Sequence, residues 1–197
     1  MTLILKAPSQ YQEEIRKSRF LAQAVPLADP SEVPPLLQRL GTPAATHNCW
    51  AWAFGQQHRY NDDGEPAGTA GRPILAAIEQ QGFDRVLVVV TRWYGGIQLG
   101  TGGLARAYGG CAAKCLQAGE SQPLVERQRV RGHCPYSQLE LFKARLAELG
   151  AVLEAESFDA TGAWLTLALQ PERLEAAQAL LSNLSRGESE LVVVDDE

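Results

Sequence analysis

The chain has 197 residues, of which 45% are hydrophobic and 21% are charged, and its formal net charge is −5. This composition is typical of globular proteins and excludes wholesale disorder. The length predicts one large domain or two small ones. No apolar stretch approaches the ~18 residues needed to span a bilayer, and the N-terminus lacks the pattern of a signal peptide. Four cysteines are too few for a disulfide scaffold, so we expect a cytoplasmic protein without a membrane partner.

Charge and glycine are distributed unevenly along the chain. Residues 1–120 carry 11 Lys and Arg against 10 Asp and Glu, a net charge of +1, whereas residues 121–197 carry 7 against 13, a net charge of −6. Affinity for nucleic acid comes mainly from neutralising phosphates, so we expect any nucleic-acid contact on the first half. The composition changes at residues 119–124, a polar stretch that predicts a linker between domains over residues 1–120 and 124–197.

Hydrophobic periodicity and turn residues predict mixed helices and strands in the first half. A helix is expected from Ser31 to Leu40, and a second helix opens at Gly71-Arg-Pro73 and runs to Gln81. The alternation in residues 49–54 places Trp50 and Trp52 on one face of a strand. The remaining predicted elements are strands over residues 11–17, 20–25 and 86–91 and a small-residue helix over residues 104–117.

The second half has a simpler pattern. Strands are predicted over residues 126–133, 151–158, 163–169 and 191–194. One helix begins at Pro135 and ends at Gly150, and another begins at Pro171 and includes Leu184. The order β-α-β-β-α-β predicts a ferredoxin-like domain. The predicted fold class is therefore α+β with two domains.

The glycine-rich stretch Gly100-Thr-Gly102-Gly103-Leu-Ala105 is predicted to lead into a helix. Backbone amides at a helix start favour an anion, and Arg92 and Arg106 flank this start. The alternative is a tight turn that packs the helix closely onto a strand. Residues 68–72, just before Pro73, form a second possible anion seat of the same kind.

Three carboxylates of the acidic turn, Asp62, Asp63 and Glu65, are candidate oxygen ligands for Mg²⁺. The alternative is an exposed Asp-Gly turn that precedes a helix. His47 and Cys49 lie two residues apart on a predicted strand and therefore share a face. They form either an activated thiolate pair or a buried thiol beside a hydrogen-bonded histidine.

Two further groups each have two interpretations. Trp93 and Tyr94 follow Arg92 directly and either stack on a base or peptide or form a partly buried strand end. Cys111 and Cys115 lie one helical turn apart, but no CxxC or nearby His pair supplies the other ligands of a zinc site. We therefore predict that both cysteines are small core residues.

Three segments carry a family resemblance: Asn61-Asp-Asp-Gly-Glu-Pro-Ala-Gly-Thr-Ala-Gly-Arg-Pro73, Val90-Thr-Arg-Trp-Tyr-Gly-Gly96 and Leu99-Gly-Thr-Gly-Gly-Leu-Ala-Arg-Ala-Tyr108. With Ser18-Arg-Phe20 and Thr46-His-Asn-Cys49, they resemble the IMPACT family, in particular its bacterial YigZ-like members, over nearly the whole chain. Trp93 stands where the family commonly has Tyr or Phe.

The resemblance implies a ribosomal-protein-domain-2-like α/β sandwich followed by a ferredoxin-like domain similar to elongation factor G domain V. Eukaryotic relatives are translational regulators. The resemblance supplies no catalytic residues.

The first functional hypothesis is a non-enzymatic regulator of translation that binds the ribosome, RNA or a ribosome-associated protein. Its arginines would hold phosphates, its glycines would permit close approach, and its aromatic rings would stack. The residues expected in these roles are Arg72, Arg92 and Arg106, then Gly95, Gly96, Gly102 and Gly103, and finally Trp93 and Tyr94.

The alternative hypothesis is a Mg-dependent enzyme acting on a nucleotide or a phosphorylated small molecule. In this case Asp62, Asp63 and Glu65 would hold Mg²⁺, the arginines would hold phosphate, and His47 would act as an acid or base. Mg²⁺ is the one cofactor that this hypothesis requires. A peptide-binding module that uses Trp50 and Trp52 is a third hypothesis, which competes with a core role for those rings.

Overall fold

The computed structural model describes residues 2–194, and the chain divides after Leu124 into two compact units. Each unit combines an antiparallel sheet with helices and has its own apolar core. The fold is therefore α+β with two domains. No helix among the described residues is long and apolar enough to cross a membrane.

A five-stranded sheet forms the centre of the first unit, with the order β2-β3-β6-β4-β5 and antiparallel pairing throughout. The central strand β6 is buried from Val86 to Arg92. Helices cover both faces of this strand, which explains its uninterrupted apolar run. The strands are β2 (Ser9–Ile15), β3 (Ser18–Pro26), β4 (His47–Phe54), β5 (Gln57–Asn61) and β6 (Val86–Trp93).

The two sides of this sheet have separate cores. Helices α2 (Gly71–Gln80) and α3 (Gly100–Ala118) pack over Val88 and Val90. Helix α1 (Val33–Leu40) packs over the other face. Complete burial of one aliphatic side chain contributes about 1.5–3 kcal/mol, so both layers help to fix β6.

The tryptophans of β4 belong to the layer under α1. Trp52 is buried there, and Trp50 packs against the same cluster while remaining partly exposed. The predicted common face is confirmed. Since the ring of Trp52 is part of the core, a peptide-binding role for the pair is not supported.

Three differences from the predicted elements have physical causes. Strand β7 (Ser121–Pro123) pairs with β1 (Leu3–Leu5) inside the stretch that was expected to be a linker. Strand β5 is exposed along its whole length, so it has no apolar alternation and depends on pairing with β4. Helix α3 begins at Gly100 instead of Leu104, because packing overrides the low helix propensity of its glycines.

The second unit contains a four-stranded sheet with the order β11-β8-β10-β9. Its helices pack on one face over Val130, Leu165 and Leu167. The predicted β-α-β-β-α-β order is present. Its elements are β8 (Gln128–Pro135), α4 (Leu139–Glu148), β9 (Val152–Phe158), β10 (Gly162–Leu169), α5 (Leu174–Leu184) and β11 (Val192–Val193).

At Gly95, the segment after β6 passes very close to the backbone of the β2–β3 turn. A Cβ atom at Gly95 would clash with the backbone carbonyl of Lys17. We expect Gly95→Ala to lower the free energy of unfolding by about 1–3 kcal/mol, the usual range for overpacking, as measured by urea denaturation.

Gly110 provides the control, because an added Cβ there meets no atom within 4 Å. Gly110→Ala in the middle of α3 should instead raise stability by up to about 1 kcal/mol. Equal effects of the two substitutions would contradict the close approach.

Candidate functional site

A buried ion pair lies at the centre of the first unit. Arg92 on β6 donates from Nη1 to Oε1 of Glu65 over 2.6 Å, and the side chains are only 5% and 4% exposed. Nε and Nη2 of Arg92 lie 3.4 and 3.3 Å from the hydroxyl oxygen of Ser18 on β3. A buried charge without a partner is strongly destabilising, so each member of the pair requires the other.

Tyr108 connects α3 to the same carboxylate. Its hydroxyl donates to Oε1 of Glu65 over 2.6 Å, and its ring meets Phe20 edge to face at 5.3 Å. Burial raises the pKa of Tyr108 far above its ordinary value, with Cys49 and Glu65 adding to the effect. The hydroxyl therefore keeps its proton and acts as a donor. One carboxylate thus joins the acidic turn, β6 and α3.

The orientation of His47 follows from its hydrogen bond. Its Nδ1 lies 2.7 Å from the backbone carbonyl oxygen of Asp63, which can only accept, so Nδ1 carries the hydrogen. Nε2 lies on the side of Glu65, 3.8 Å from Oε1. His47 is also directly opposite Arg92 in the β4–β6 register. The histidine therefore belongs to the outer rim of the buried pair.

The other carboxylates of the acidic turn have internal partners. Asp62 accepts hydrogen bonds from the backbone N–H groups of Gly68, Ala70 and Gly71 over 2.9, 3.1 and 2.8 Å. The second predicted anion seat, at the start of α2, is therefore filled by the protein's own carboxylate. Asp63 accepts from the backbone N–H of Asn48 over 2.6 Å.

These contacts give the acidic turn a structural role. Asp62 and Asp63 hold backbone segments, while Glu65 neutralises Arg92. In the part of the chain that the structure describes, no group of three or more His, Cys, Asp or Glu residues is arranged to hold a metal ion. A Mg²⁺ ion at this turn would have to displace these internal donors.

Cys49 lies on the same face of β4 as His47 but is fully buried. Its thiol donates to the carbonyl oxygen of Asp62 at 3.0 Å. Burial raises the pKa of the Cys49 thiol to about 12. The structure therefore contradicts the activated thiolate and agrees with a buried thiol. Cys111 and Cys115 are buried in the core as predicted.

A cleft of about 490 Å³ opens above the ion pair. The ring of Tyr94 lies beside it, 5.3 Å from Cζ of Arg92. The start of α3 forms another wall, and no side chain of the described residues caps this end of the helix. The cleft brings together His47, Glu65, Arg92 and Tyr94 with Gly100, Thr101 and Leu104 of the predicted glycine-rich anion site, and with four further residues: Thr46, Pro66, Gln98 and Leu99.

The remaining predicted site residues lie outside this cleft. Trp93 points away from Arg92 along β6, and Cζ of Arg19 lies 4.0 Å from the centre of its ring. Gly95 packs against the β2–β3 turn, and Gly96 adopts a positive φ of 88°. Arg72, Gly102 and Arg106 are exposed.

A second cleft, of about 310 Å³, has a basic lining. Arg106 and Gly103 reach it from α3, and Arg16 reaches it from the β2–β3 turn. Lys114 also lines it and pairs with Glu13 at 2.8 Å. Arg106 therefore lies in a different cleft from Arg92, although the sequence predicts that both arginines flank one anion site.

Several residues contribute to these sites without a recognisable signal in the sequence. Ser18 and Tyr108 lie within the quoted motifs, but only their tertiary contacts with Arg92 and Glu65 reveal their roles. Tyr108 is the one aromatic residue in a helix of mostly small residues, and this contrast could have marked it as a candidate site residue. Arg16 gave a composition signal but no motif, whereas Arg19 lies within the quoted segment Ser18-Arg-Phe20.

The cysteines provide a test of the site's chemistry. The pKa of each thiol is raised mainly by burial, to about 12 for Cys49 and Cys111 and about 11 for Cys115 and Cys134. Since the thiolate is the nucleophile, we expect a disulfide reagent at pH 8 to modify none of them in the native protein and all four in denaturant. Rapid native labelling that Cys49→Ser abolishes would restore the thiolate hypothesis.

The buried pair of Glu65 and Arg92 is expected to stabilise the first unit. Glu65→Ala leaves Arg92 buried without a partner and should lower the free energy of unfolding by about 3–5 kcal/mol. Glu65→Leu combined with Arg92→Met should recover much of this loss, because neither charge then remains. Both effects are measured by urea denaturation, with tryptophan fluorescence as the readout of unfolding.

The matched control is Glu120→Ala, which removes a carboxylate from the exposed pair that it forms with Lys6 at 3.4 Å. Its cost should stay below about 1 kcal/mol. A cost for Glu65→Ala no larger than that of the control would show that the buried pair does not stabilise the fold.

Comparison with known proteins identifies both units. The Impact N-terminal domain matches residues 16–116, and the domain of unknown function DUF1949 matches residues 133–188. The IMPACT family member in the pol 5′ region of Thermus thermophilus is 41% identical over 180 residues, covering 88% of this chain and 96% of that protein. IMPACT family member YigZ of Escherichia coli is 35% identical, with 98% of each chain covered.

Two further comparisons agree with this assignment. Human Protein IMPACT is 37% identical over 95 residues, which cover 43% of this chain and 29% of that protein. A solved structure described as a hypothetical protein is 35% identical, has a TM-score of 0.70, and is matched over 98% of its length and all of this chain. The chain therefore belongs to the IMPACT family and shares the two-domain architecture of its bacterial members.

Proposed function

We propose that the protein is a non-enzymatic regulator of translation that binds ribosomal RNA through the basic surface of its first unit. This surface consists of Arg16, Lys17, Arg19, Arg106 and Lys114. The observation that carries the proposal is the cleft shared by Arg16, Arg106 and Lys114, beside the hairpin that also supports the stack of Arg19 on Trp93. Membership of the IMPACT family supports the connection with translation.

Four cations of the basic surface are exposed without an ion pair among residues 2–194, whereas Lys114 pairs with Glu13. Arg16 and Lys17 occupy the β2–β3 turn with positive φ angles of 45° and 66°, and both are exposed. Neither they nor Arg106 form an ion pair within residues 2–194. Contacts from such side chains to phosphates position a protein on RNA without reading its sequence.

The aromatic contribution comes from Trp93 and Tyr94. Arg19 lies over the ring of Trp93, and Tyr94 is exposed at the end of the same strand. Aromatic rings and arginine planes stack on unpaired bases. We therefore expect the basic surface to bind RNA at a loop or bulge, where phosphates and unstacked bases occur together.

The cleft above Glu65 favours a second candidate function, an enzyme acting on a phosphorylated small molecule. His47 presents Nε2 beside Glu65, and the uncapped start of α3 forms part of the wall. Arg92 is neutralised by Glu65, however, and the nearby carboxylates are held by internal donors. These contacts reduce the attraction of the cleft for both phosphate and Mg²⁺, so the RNA-binding function has more support.

Cosedimentation with ribosomes across a salt series tests the proposal. Each neutralised phosphate contributes about 0.7–0.9 to the log–log salt slope. We expect Arg16→Ala combined with Arg106→Ala to weaken binding and to lower that slope by about 1.4–1.8. Arg92 is left unchanged, because its removal would damage the fold.

The control is Arg39→Ala combined with Arg59→Ala, which removes two exposed arginines from the same unit. It should leave binding nearly unchanged. Equal losses in the two double variants would indicate a general charge effect and overturn the assigned surface. Absence of ribosome binding at every salt concentration would favour the small-molecule candidate, which a nucleotide-binding assay with and without Mg²⁺ would then examine.

A further inference from the structure

The sheet of the second unit has one open face. Helices α4 and α5 pack on the side of Val130 and Leu165, and no helix of the described residues in this unit packs on the other side. Strand alternation places Arg131 and His133 of β8 and Trp164 of β10 on that open side. Trp164 is 41% exposed. A large ring on an uncovered sheet face is a candidate docking surface.

A cleft of about 360 Å³ lies at the Trp164 end of this face. His133 is directly opposite Trp164 in the sheet, with ring centroids 5.3 Å apart. Nε2 of His133 lies 3.1 Å from Oδ2 of Asp159. The loop after α5 closes the other side of the cleft through Glu188, Ser189 and Glu190.

Asp159 fixes the floor of the cleft. Its Oδ1 accepts hydrogen bonds from the backbone N–H groups of Thr161 and Gly162 over 2.8 and 2.9 Å. These hydrogen bonds, with smaller help from the Thr161 hydroxyl and His133, hold the pKa of Asp159 well below its usual range. The carboxylate is therefore ionised at neutral pH and keeps the imidazole of His133 against Trp164.

The electrostatics of the cleft favour a cation. Glu188 and Glu190 are exposed and form no ion pair within the described residues. The unit itself, residues 125–197, carries 7 Lys and Arg against 13 Asp and Glu, a net charge of −6. The face of an indole ring attracts ammonium and guanidinium groups. Cζ of Arg131 lies 5.0 Å from the centre of the Trp164 ring, so the ring already contacts one guanidinium of the protein itself, and an incoming cation would share the ring with it.

Single-stranded RNA is the competing occupant, because exposed tryptophan also stacks on bases. RNA affinity depends on neutralised phosphates, and the cleft beside Trp164 is lined by Glu188 and Glu190, which form no ion pair among the described residues. The charge of the unit also opposes the approach of a polyanion. The observations therefore favour a cationic partner over RNA.

We propose that the open sheet face of the second unit docks a basic peptide segment, with an Arg or Lys side chain over Trp164 and its charge paired with Glu188 and Glu190. This docking surface goes beyond the RNA-binding function proposed for the first unit and does not depend on it. Its partner is a protein with an exposed basic tail or loop, which matches the acidic charge of the unit.

Titration of the full-length protein against a dye-labelled Gly-Arg repeat peptide, followed by fluorescence anisotropy, tests this inference. Loss of a cation–π contact changes affinity by about 2- to 30-fold, and we expect Trp164→Ala to weaken binding within this range. Phe158→Ala is the control for the loss of an exposed aromatic ring, since Phe158 lies outside the cleft and is 63% exposed.

A charge-matched comparison separates the cleft from the general acidity of the unit. Glu188→Gln with Glu190→Gln should weaken peptide binding by about 2- to 30-fold, from two exposed ion pairs. Glu172→Gln with Glu175→Gln removes the same charge from exposed positions of the same unit and should have little effect. Thermal unfolding midpoints near the wild-type value should confirm that all four variants remain folded.

Three outcomes would overturn the inference. Equal losses in the two double glutamine variants would reduce the binding to non-specific charge attraction. Unchanged binding by the folded Trp164→Ala variant would remove the ring from the surface. Tighter binding of a single-stranded RNA oligonucleotide than of the peptide, lost in Trp164→Ala, would assign the face to RNA. The Arg16→Ala, Arg106→Ala variant should bind the peptide normally, so failure of the ribosome experiment remains a separate result.

Discussion

The carboxylate of Glu65 determines how the first unit is assembled. It is almost completely buried, and its Oε1 receives hydrogen bonds from both Arg92 and Tyr108. These partners come from the central strand and the longest helix of the unit, which are distant in sequence. Taking two charges out of water costs several kcal/mol per ion, so such a pair persists only with good geometry and additional hydrogen bonds. Ser18 and Tyr108 supply those bonds.

Because the carboxylates of the acidic turn have partners inside the protein, the turn has a structural role. The acidic turn contains residues typical of metal sites, yet Asp62 caps the start of α2 and Asp63 holds the backbone of β4. Gly71 also has a structural role: it lets the start of α2 pack closely against β5, since a Cβ atom there would lie 2.7 Å from the backbone nitrogen of Asn61. Residues that look reactive in the sequence thus maintain the shape of the cleft.

The surfaces available to partners are separate from this internal network. In the first unit, cations without ion-pair partners among residues 2–194 lie at the β2–β3 turn and on the outer side of α3. In the second unit, an exposed tryptophan lies beside carboxylates without ion-pair partners among the described residues. The two proposals made above, RNA for the first unit and a basic peptide segment for the second, rest on this difference in the sign of the exposed charges.

The sequence by itself determined the element types wherever a side-chain period was strong. The uncharged aliphatic run of β6 and the helical spacing of Leu139, Phe142 and Leu146 predicted buried elements that the structure contains. The βαββαβ order and the family resemblance followed from the same local information. Strands β5 and β7 escaped detection, because their residues are exposed, have little apolar pattern and are held by pairing. Strand β1 is apolar but has only three residues, too few to show a period.

Only the tertiary structure decided which charged residues are available. Arg92 and Arg106 looked equivalent in the sequence, yet one is buried against Glu65 and the other is exposed in a different cleft. The ion pair joins residues 27 positions apart, and the bond from Tyr108 spans 43. Availability depends on burial and on which opposite charge lies within hydrogen-bonding distance. Burial and the nearby opposite charge are both set by the packing of segments that are distant in sequence. Local periodicity and spacing carry no information about that packing.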